Sequence, residues 1–128
     1  PETVLEGSVV STAGELADVT TSVGTVRGLH RGVAPDDVIQ VRISADSITV
    51  LDPAVDPPAD STSARNHLSG TVVDIERGET VFTIYLDVNG TTFCALVTED
   101  SVNRLELTEG RDVVLTWKAT ATRLADEF

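Results

Sequence analysis

The sequence predicts an all-β chain of two tandem small barrels, each of about five strands, with one short helical turn in the second. Three observations carry this. Apolar and polar residues alternate at period two in one segment after another. Turn-forming clusters interrupt these segments at short intervals, and a block of sequence recurs. "LEGSVV" at 5–10 returns as "LSGTVV" at 68–73, and "ISADSITVLD" at 43–52 shares its layout with "WKATATRLAD" at 117–126. The first pair is offset by 63 residues and the second by 74, so the second copy holds 11 residues that the first lacks, around "TEDSVNRLELT" at 98–108.

The recurrence divides the chain into a first half, 1–52, a Pro/Asp-rich linker, 53–62, and a second half, 63–128. Proline cannot donate to a strand ladder, so the linker is expected to stay out of the sheets. In the first half Ile39, Val41 and Ile43 alternate with Gln40, Arg42 and Ser44. In the second, Phe82, Ile84, Leu86 and Val88 alternate with Thr83, Tyr85 and Asp87, and Val113, Leu115 and Trp117 alternate with Val114, Thr116 and Lys118. Turns are expected at "RGE", "VNGT" and "TEGRD", and the helical turn near Asp100 to Leu105. Five-stranded Greek-key barrels of the OB type fit the count and size. About sixty residues are marginal for independent stability, so the copies are expected to pack together or dimerise.

Composition narrows the function classes. A chain of 128 residues with 41% hydrophobic residues suits one ordinary globular domain or two very small ones. No apolar run approaches the ~20 residues that cross a bilayer. The chain starts at Pro1, shows no signal-peptide pattern and has no methionine, which reads as a piece excised from a longer protein. Its 21 acidic residues against 9 basic give a net charge of −12, which repels nucleic acid and anionic lipid. Five aromatic residues also make a poor stacking platform for single strands. The acids are scattered, and eight of the nine bases are arginine, a balance expected of a protein kept soluble in concentrated salt.

No catalytic motif is present: there is no phosphate loop, no nucleophile elbow and no Ser, His and Asp set in context. The single cysteine, Cys94, excludes an internal disulfide, and its apolar surroundings suggest a buried, inert thiol. His30 and His67 read as surface or turn residues, and no metal site is expected.

Three segments carry binding chemistry. They are "SARN" at 63–66, "TEDS" at 98–101, and "WKAT", which contains Lys118, the only lysine. Together they offer two cations, several hydroxyls and the backbone N–H groups of a short helix start. A small tetrahedral oxyanion needs such donors, because a dianion leaves water only when most of its oxygens receive hydrogen bonds. Taken singly, Arg65 also suits a turn cap and Lys118 an ordinary exposed strand residue.

In that order and at those separations, the three segments resemble the molybdate-binding Mop, or TOBE-type, domain. The resemblance covers residues 63–125, while the first half resembles a degenerate copy without the SARN start or the TEDS insertion, with Ser44 in the place of Lys118. A shortened half followed by a full one is similar to the C-terminal regulatory region of the ATP-binding subunit of molybdate or tungstate ABC importers. The resemblance implies a non-catalytic oxyanion sensor that inhibits transport. Its ligand would be molybdate or tungstate, with no other cofactor. It implies that Ser63, Ala64 (through its backbone) and Arg65 contact the oxyanion from one side, and that Thr98, Ser101 and Lys118 close it from the other, while Asn66 supports the turn. Its implied partners are a second copy in a twofold homodimer, the ATPase domain of the parent chain and the permease subunits. The implied location is cytoplasmic, at the inner face of the membrane. A structural TOBE module of another importer, or the effector domain of a molybdate-responsive regulator or storage protein, are the alternatives.

Overall fold

The first half of the chain supplies β1 (Glu2–Ala13), β2 (Leu16–Thr21), β3 (Gly24–Leu29), β4 (Val38–Ser44) and β5 (Thr49–Leu51). The second supplies β6 (Asn66–Glu76), β7 (Val81–Val88), β8 (Thr91–Thr98), the helix α1 (Glu99–Arg104), β9 (Asp112–Trp117) and β10 (Thr122–Asp126). These elements come from a computed structural model that describes residues 1–55 and 57–126. The all-β class, the five strands per copy and the short helix are those expected from the sequence.

Period-two patterning forms these strands because successive side chains point to opposite faces. Ile39, Val41 and Ile43 on β4 are buried between partly exposed neighbours, as are Phe82, Ile84, Leu86 and Val88 on β7. Asn89 and Gly90 both hold positive φ, 48° and 88°, as the two-residue turn between β7 and β8 requires. The repeated "GSVV" and "GTVV" also has a structural cause. At Gly7 and Gly70 a partner strand passes too close for a Cβ, and three residues later β1 and β6 each bulge, between Val9 and Ser11 and between Val72 and Asp74.

The sequence halves and the sheets do not coincide. One sheet is a closed barrel in the order β1-β2-β3-β10-β4, and the other runs β5-β9-β6-β7-β8. Each half therefore gives its last strand to the other. β10 runs antiparallel to β4 and meets β3 in parallel at Arg123 and Leu29, while β5 lies antiparallel to β9. The recurring "ISADSITV" and "WKATATRL" are the crossings, each a strand end, a 3-10 turn (Ala45–Ser47 or Ala119–Ala121) and the exchanged strand. Marginal halves thus share strands as well as packing, and one apolar core runs through both sheets.

On β9 the expected alternation gives way: Val114 and Thr116 are buried along with Val113, Leu115 and Trp117. β9 is flanked by β5 and β6, and the 3-10 turn Pro53–Val55 packs over it. The linker holds that turn and a second one, Ala59–Ser61, but no strand among its described residues. Asp56 of the expected linker and residues 127–128 of the second half lie outside the described residues. Cys94 is buried, and Trp117 stacks obliquely on Phe93, with ring centroids 5.7 Å apart.

Candidate functional site

Ser63, Ala64 and Arg65 lead into β6, and the next residue fixes their position. Asn66 is buried and its side-chain amide grips the backbone of β3. Oδ1 accepts from the Arg27 N–H at 2.8 Å, and Nδ2 donates to the Arg27 carbonyl at 2.9 Å. Nδ2 also reaches the Thr122 hydroxyl at 3.3 Å, and that hydroxyl donates to the Lys118 carbonyl at 3.0 Å. A short hydrogen-bond chain therefore ties the backbone of Lys118, through Thr122 and Asn66, to the start of β6. Asn66 faces Trp117 in the β6–β9 ladder, so Arg65 and Lys118, one residue further on each strand, emerge side by side. Ser63 and Arg65 are exposed, as is Lys118, which occupies the N-cap position of a 3-10 turn just past the end of β9. The Ala64 N–H is held by the Thr62 hydroxyl at 3.1 Å.

Thr98 and Ser101 form a separate corner. Thr98 ends β8 and caps α1, its Oγ1 accepting from the Ser101 N–H at 3.4 Å, and the two hydroxyls lie 3.3 Å apart. Thr98 faces Val81 at the start of β7, and β7 runs antiparallel to β6. This corner is therefore at the Glu76 end of the sheet, whereas Arg65 and Lys118 are at the Asn66 end. Lys118 thus groups with Ser63, Ala64 and Arg65 and not, as expected, with Thr98 and Ser101. The reason is register, because β6 runs its whole length between the two corners. Glu99 and Asp100 occupy the first turn of α1, and Arg104 pairs with Asp100 at 3.0 Å.

Electrostatics singles out the first corner. Five arginines are engaged internally: Arg27 with Asp18, Arg42 with Glu2, Arg104 with Asp100, Arg111 with Asp52, and Arg77 over the Phe82 ring. Arg31, Arg65, Lys118 and Arg123 have no partner among the described residues, in a chain with 21 acids. Beside the corner, the hydrogen bond from Arg27 holds the Asp18 carboxyl below its usual range, and the same bond raises Arg27.

Two residues that position this corner, Thr122 and Arg27, were not singled out by the sequence. A signal for Thr122 exists: it is a polar residue where the first copy has Ile48. His30 is a turn residue whose Nδ1 accepts from the N–H groups of Gly32 and Val33, while Nε2 lies 2.9 Å from the Gly14 carbonyl. No group of three or more His, Cys, Asp or Glu able to hold a metal ion occurs among the described residues, and no helix among them is long and apolar enough to cross a membrane.

Comparison with known proteins bears on both halves. A family model described as the TOBE domain matches residues 62–124. The chain is 26% identical over 123 residues to a molybdate/tungstate import ATP-binding protein, WtpC, of Pyrococcus abyssi (strain GE5 / Orsay), covering 96% of this chain and 31% of that relative. The chain therefore spans about a third of the length of the curated relative it matches. Among solved structures, the cytoplasmic molybdate-binding protein ModG, with molybdate bound, superposes with a TM-score of 0.84 at 23% identity, over 97% of this chain and 95% of that one. A molybdate-binding protein from Sporomusa ovata is 40% identical over 45% of this chain and 87% of that one, with a TM-score of 0.44. The likeness to ModG extends the shared fold over both halves, and within it residues 62–124 match the TOBE domain model.

Proposed function

We propose that this chain is a non-catalytic regulatory domain that binds molybdate or tungstate. The observation that carries the reading is the pair Arg65 and Lys118, without a partner among the described residues and brought side by side in register next to Asn66 and Trp117, in a strongly acidic chain. Two cations without a carboxylate partner among the described residues are available to neutralise a dianion. The Ser63 hydroxyl adds a neutral donor that discriminates by shape, joined by the Ala64 N–H once it leaves the Thr62 hydroxyl. The compact ammonium of Lys118 approaches a small anion where a planar guanidinium would crowd it. The names of the relatives support the choice of oxyanion: a molybdate/tungstate import protein is 26% identical over 123 residues, and a molybdate-binding protein shares the fold.

Thr98 and Ser101 lie too far along the sheet to complete this corner in one chain, so in this reading they complete it in a second copy. A twofold homodimer that brings the Arg65–Lys118 corner of each copy to the Thr98–Ser101 corner of its partner holds two equivalent anions. In the parent protein the domain would follow the ATPase domain of an importer, at the cytoplasmic face and beside the permease subunits. Bound oxyanion inhibits transport there to the extent that it prefers one arrangement of the paired domains.

The test is isothermal titration of the chain with molybdate, tungstate, sulfate and phosphate in high potassium chloride, with Lys118→Ala and Arg65→Ala beside it. Saturable binding of the first two anions, lost in both variants, is the expected result. A folded chain that binds neither anion is a structural TOBE module instead.

A further inference from the structure

The other two cations without a partner among the described residues, Arg31 and Arg123, line one groove of the first barrel, with a volume of about 890 Å³. Arg42 lines it as well, directly across the β4–β10 ladder from Arg123. Like charges facing each other across a ladder repel, and only Arg42 is answered internally, by Glu2 at 2.6 Å and by the Gln40 side chain at 2.7 Å. Leu29, Val33 and Leu124 give the groove apolar surface, and Glu15 is the one acidic lining residue among the described residues.

We infer that this groove docks an extended acidic segment of a partner polypeptide, one that alternates carboxylates with small apolar side chains. A lone small anion would leave the apolar surface of this groove uncovered. A polypeptide combines carboxylates for Arg31 and Arg123 with apolar side chains for the floor, and an extended segment presents the two in alternation. Charge complementarity favours this occupant: in a chain of net charge −12 the groove gathers three of the eight arginines. The inference stands apart from the oxyanion site, since it uses neither Arg65 nor Lys118.

The probe is the blocked hexapeptide Asp-Val-Asp-Val-Asp-Val, titrated into the labelled chain at moderate salt and followed by amide chemical shifts. Saturable shifts at Leu29, Val33 and Leu124 are expected. Affinity should fall at least tenfold in Arg31→Gln/Arg123→Gln and stay unchanged in Lys118→Ala. Equal binding of the Asn-for-Asp peptide, equal binding by the double variant, or no shift at millimolar peptide would each overturn the proposal. So would reproduction of the same shifts by inorganic phosphate, which would make this a small-anion site. The same shifts on raising the concentration of the chain alone would make it a self-association surface and overturn the proposal too.

Discussion

The two halves of this chain build the same corner and fill it with opposite charge. In the second half Arg65 and Lys118 flank the start of β6 and the end of β9. In the first, Glu2 faces Ser44 across β1 and β4 at the matching place, 63 and 74 residues earlier. There the Glu2 carboxylate accepts from Arg42 at 2.6 Å, and the Ser44 hydroxyl donates to Asp46 at 2.6 Å. One corner carries two cations without a partner among the described residues, and the other carries a carboxylate, Glu2, and a neighbouring one, Asp46, that are already answered. The anchors differ too: Asn66 holds both polar groups of the Arg27 backbone, whereas the Thr3 hydroxyl accepts from the Cys94 N–H at 3.2 Å and lies 3.9 Å from the Cys94 Sγ. The backbone fold alone does not make an anion site; the two side chains at the corner decide its sign.

The strongest way to break this comparison is to write the first corner into the second. Arg65→Glu/Lys118→Ser should weaken molybdate and tungstate binding by about 10²- to 10⁴-fold, the loss of two charge-assisted contacts at ~1.5–3 kcal/mol each. Both side chains are exposed and have no partner among the described residues, so the thermal midpoint should hardly move. Titration and a melt on the same sample check both statements, and undiminished affinity in the double variant would remove Arg65 and Lys118 from the site.

Asn66→Ala comes next. It leaves the N–H and carbonyl of Arg27 without partners and releases Thr122, which should cost about 3 kcal/mol of folding stability, against about 1–2 for Thr3→Ala. Urea unfolding with unchanged slope reads the difference. Equal losses would mean that the two anchors do the same work.

Much of this architecture was legible in the sequence, because period-two patterning and turn chemistry are local. β4 and β7 follow their alternation residue by residue, and "TEDSVNRL" carries its own cap in Thr98. Strand exchange was not legible, since β5 and β10 have the same pattern whichever sheet receives them. Burial on both faces of β9 depends on a turn more than fifty residues away in the chain. At the candidate site, motif order singles out these residues, but only register shows that Lys118 sits beside Arg65 while Thr98 and Ser101 lie at the far end. Asn66 and Thr122 gave their signal by contrast, as polar residues set against Thr3 and Ile48 in the other copy.

The repeated glycines sharpen the comparison on a smaller scale. A Cβ on Gly7 collides with Cγ1 of Val19, a branched side chain with little rotamer freedom, and comes within 3.0 Å of the Thr20 carbonyl. On Gly70 it meets Leu115 Cδ1 at 2.8 Å and Val88 Cγ2 at 3.1 Å, and the leucine tip can turn aside. Gly7→Ala should therefore destabilise by ~2–3 kcal/mol and Gly70→Ala by ~1–2. Denaturant midpoints of the two variants decide the order, and a reversal would place the tighter crossing in the second half.

The smallest effect is confined to the first half. Arg27 donates to Asp18 at 2.8 Å, and its structural counterpart in the second half is Cys94, which cannot form such a pair. Because the folded state lowers the Asp18 pKa below 3.8, the stabilisation is fully present above that value and is lost as pH falls through the folded pKa. With side-chain exposures of 40% for Arg27 and 28% for Asp18, the pair is worth at most ~1 kcal/mol, less in high salt. Asp18→Asn should then be slightly less stable than the parent chain at pH 6, by the same margin at pH 5, and should converge with it as pH falls through the lowered Asp18 pKa. A gap that persists into acid would mean that Asp18 stabilises the corner beside Asn66 through its hydrogen-bonding shape, and that its charge contributes nothing.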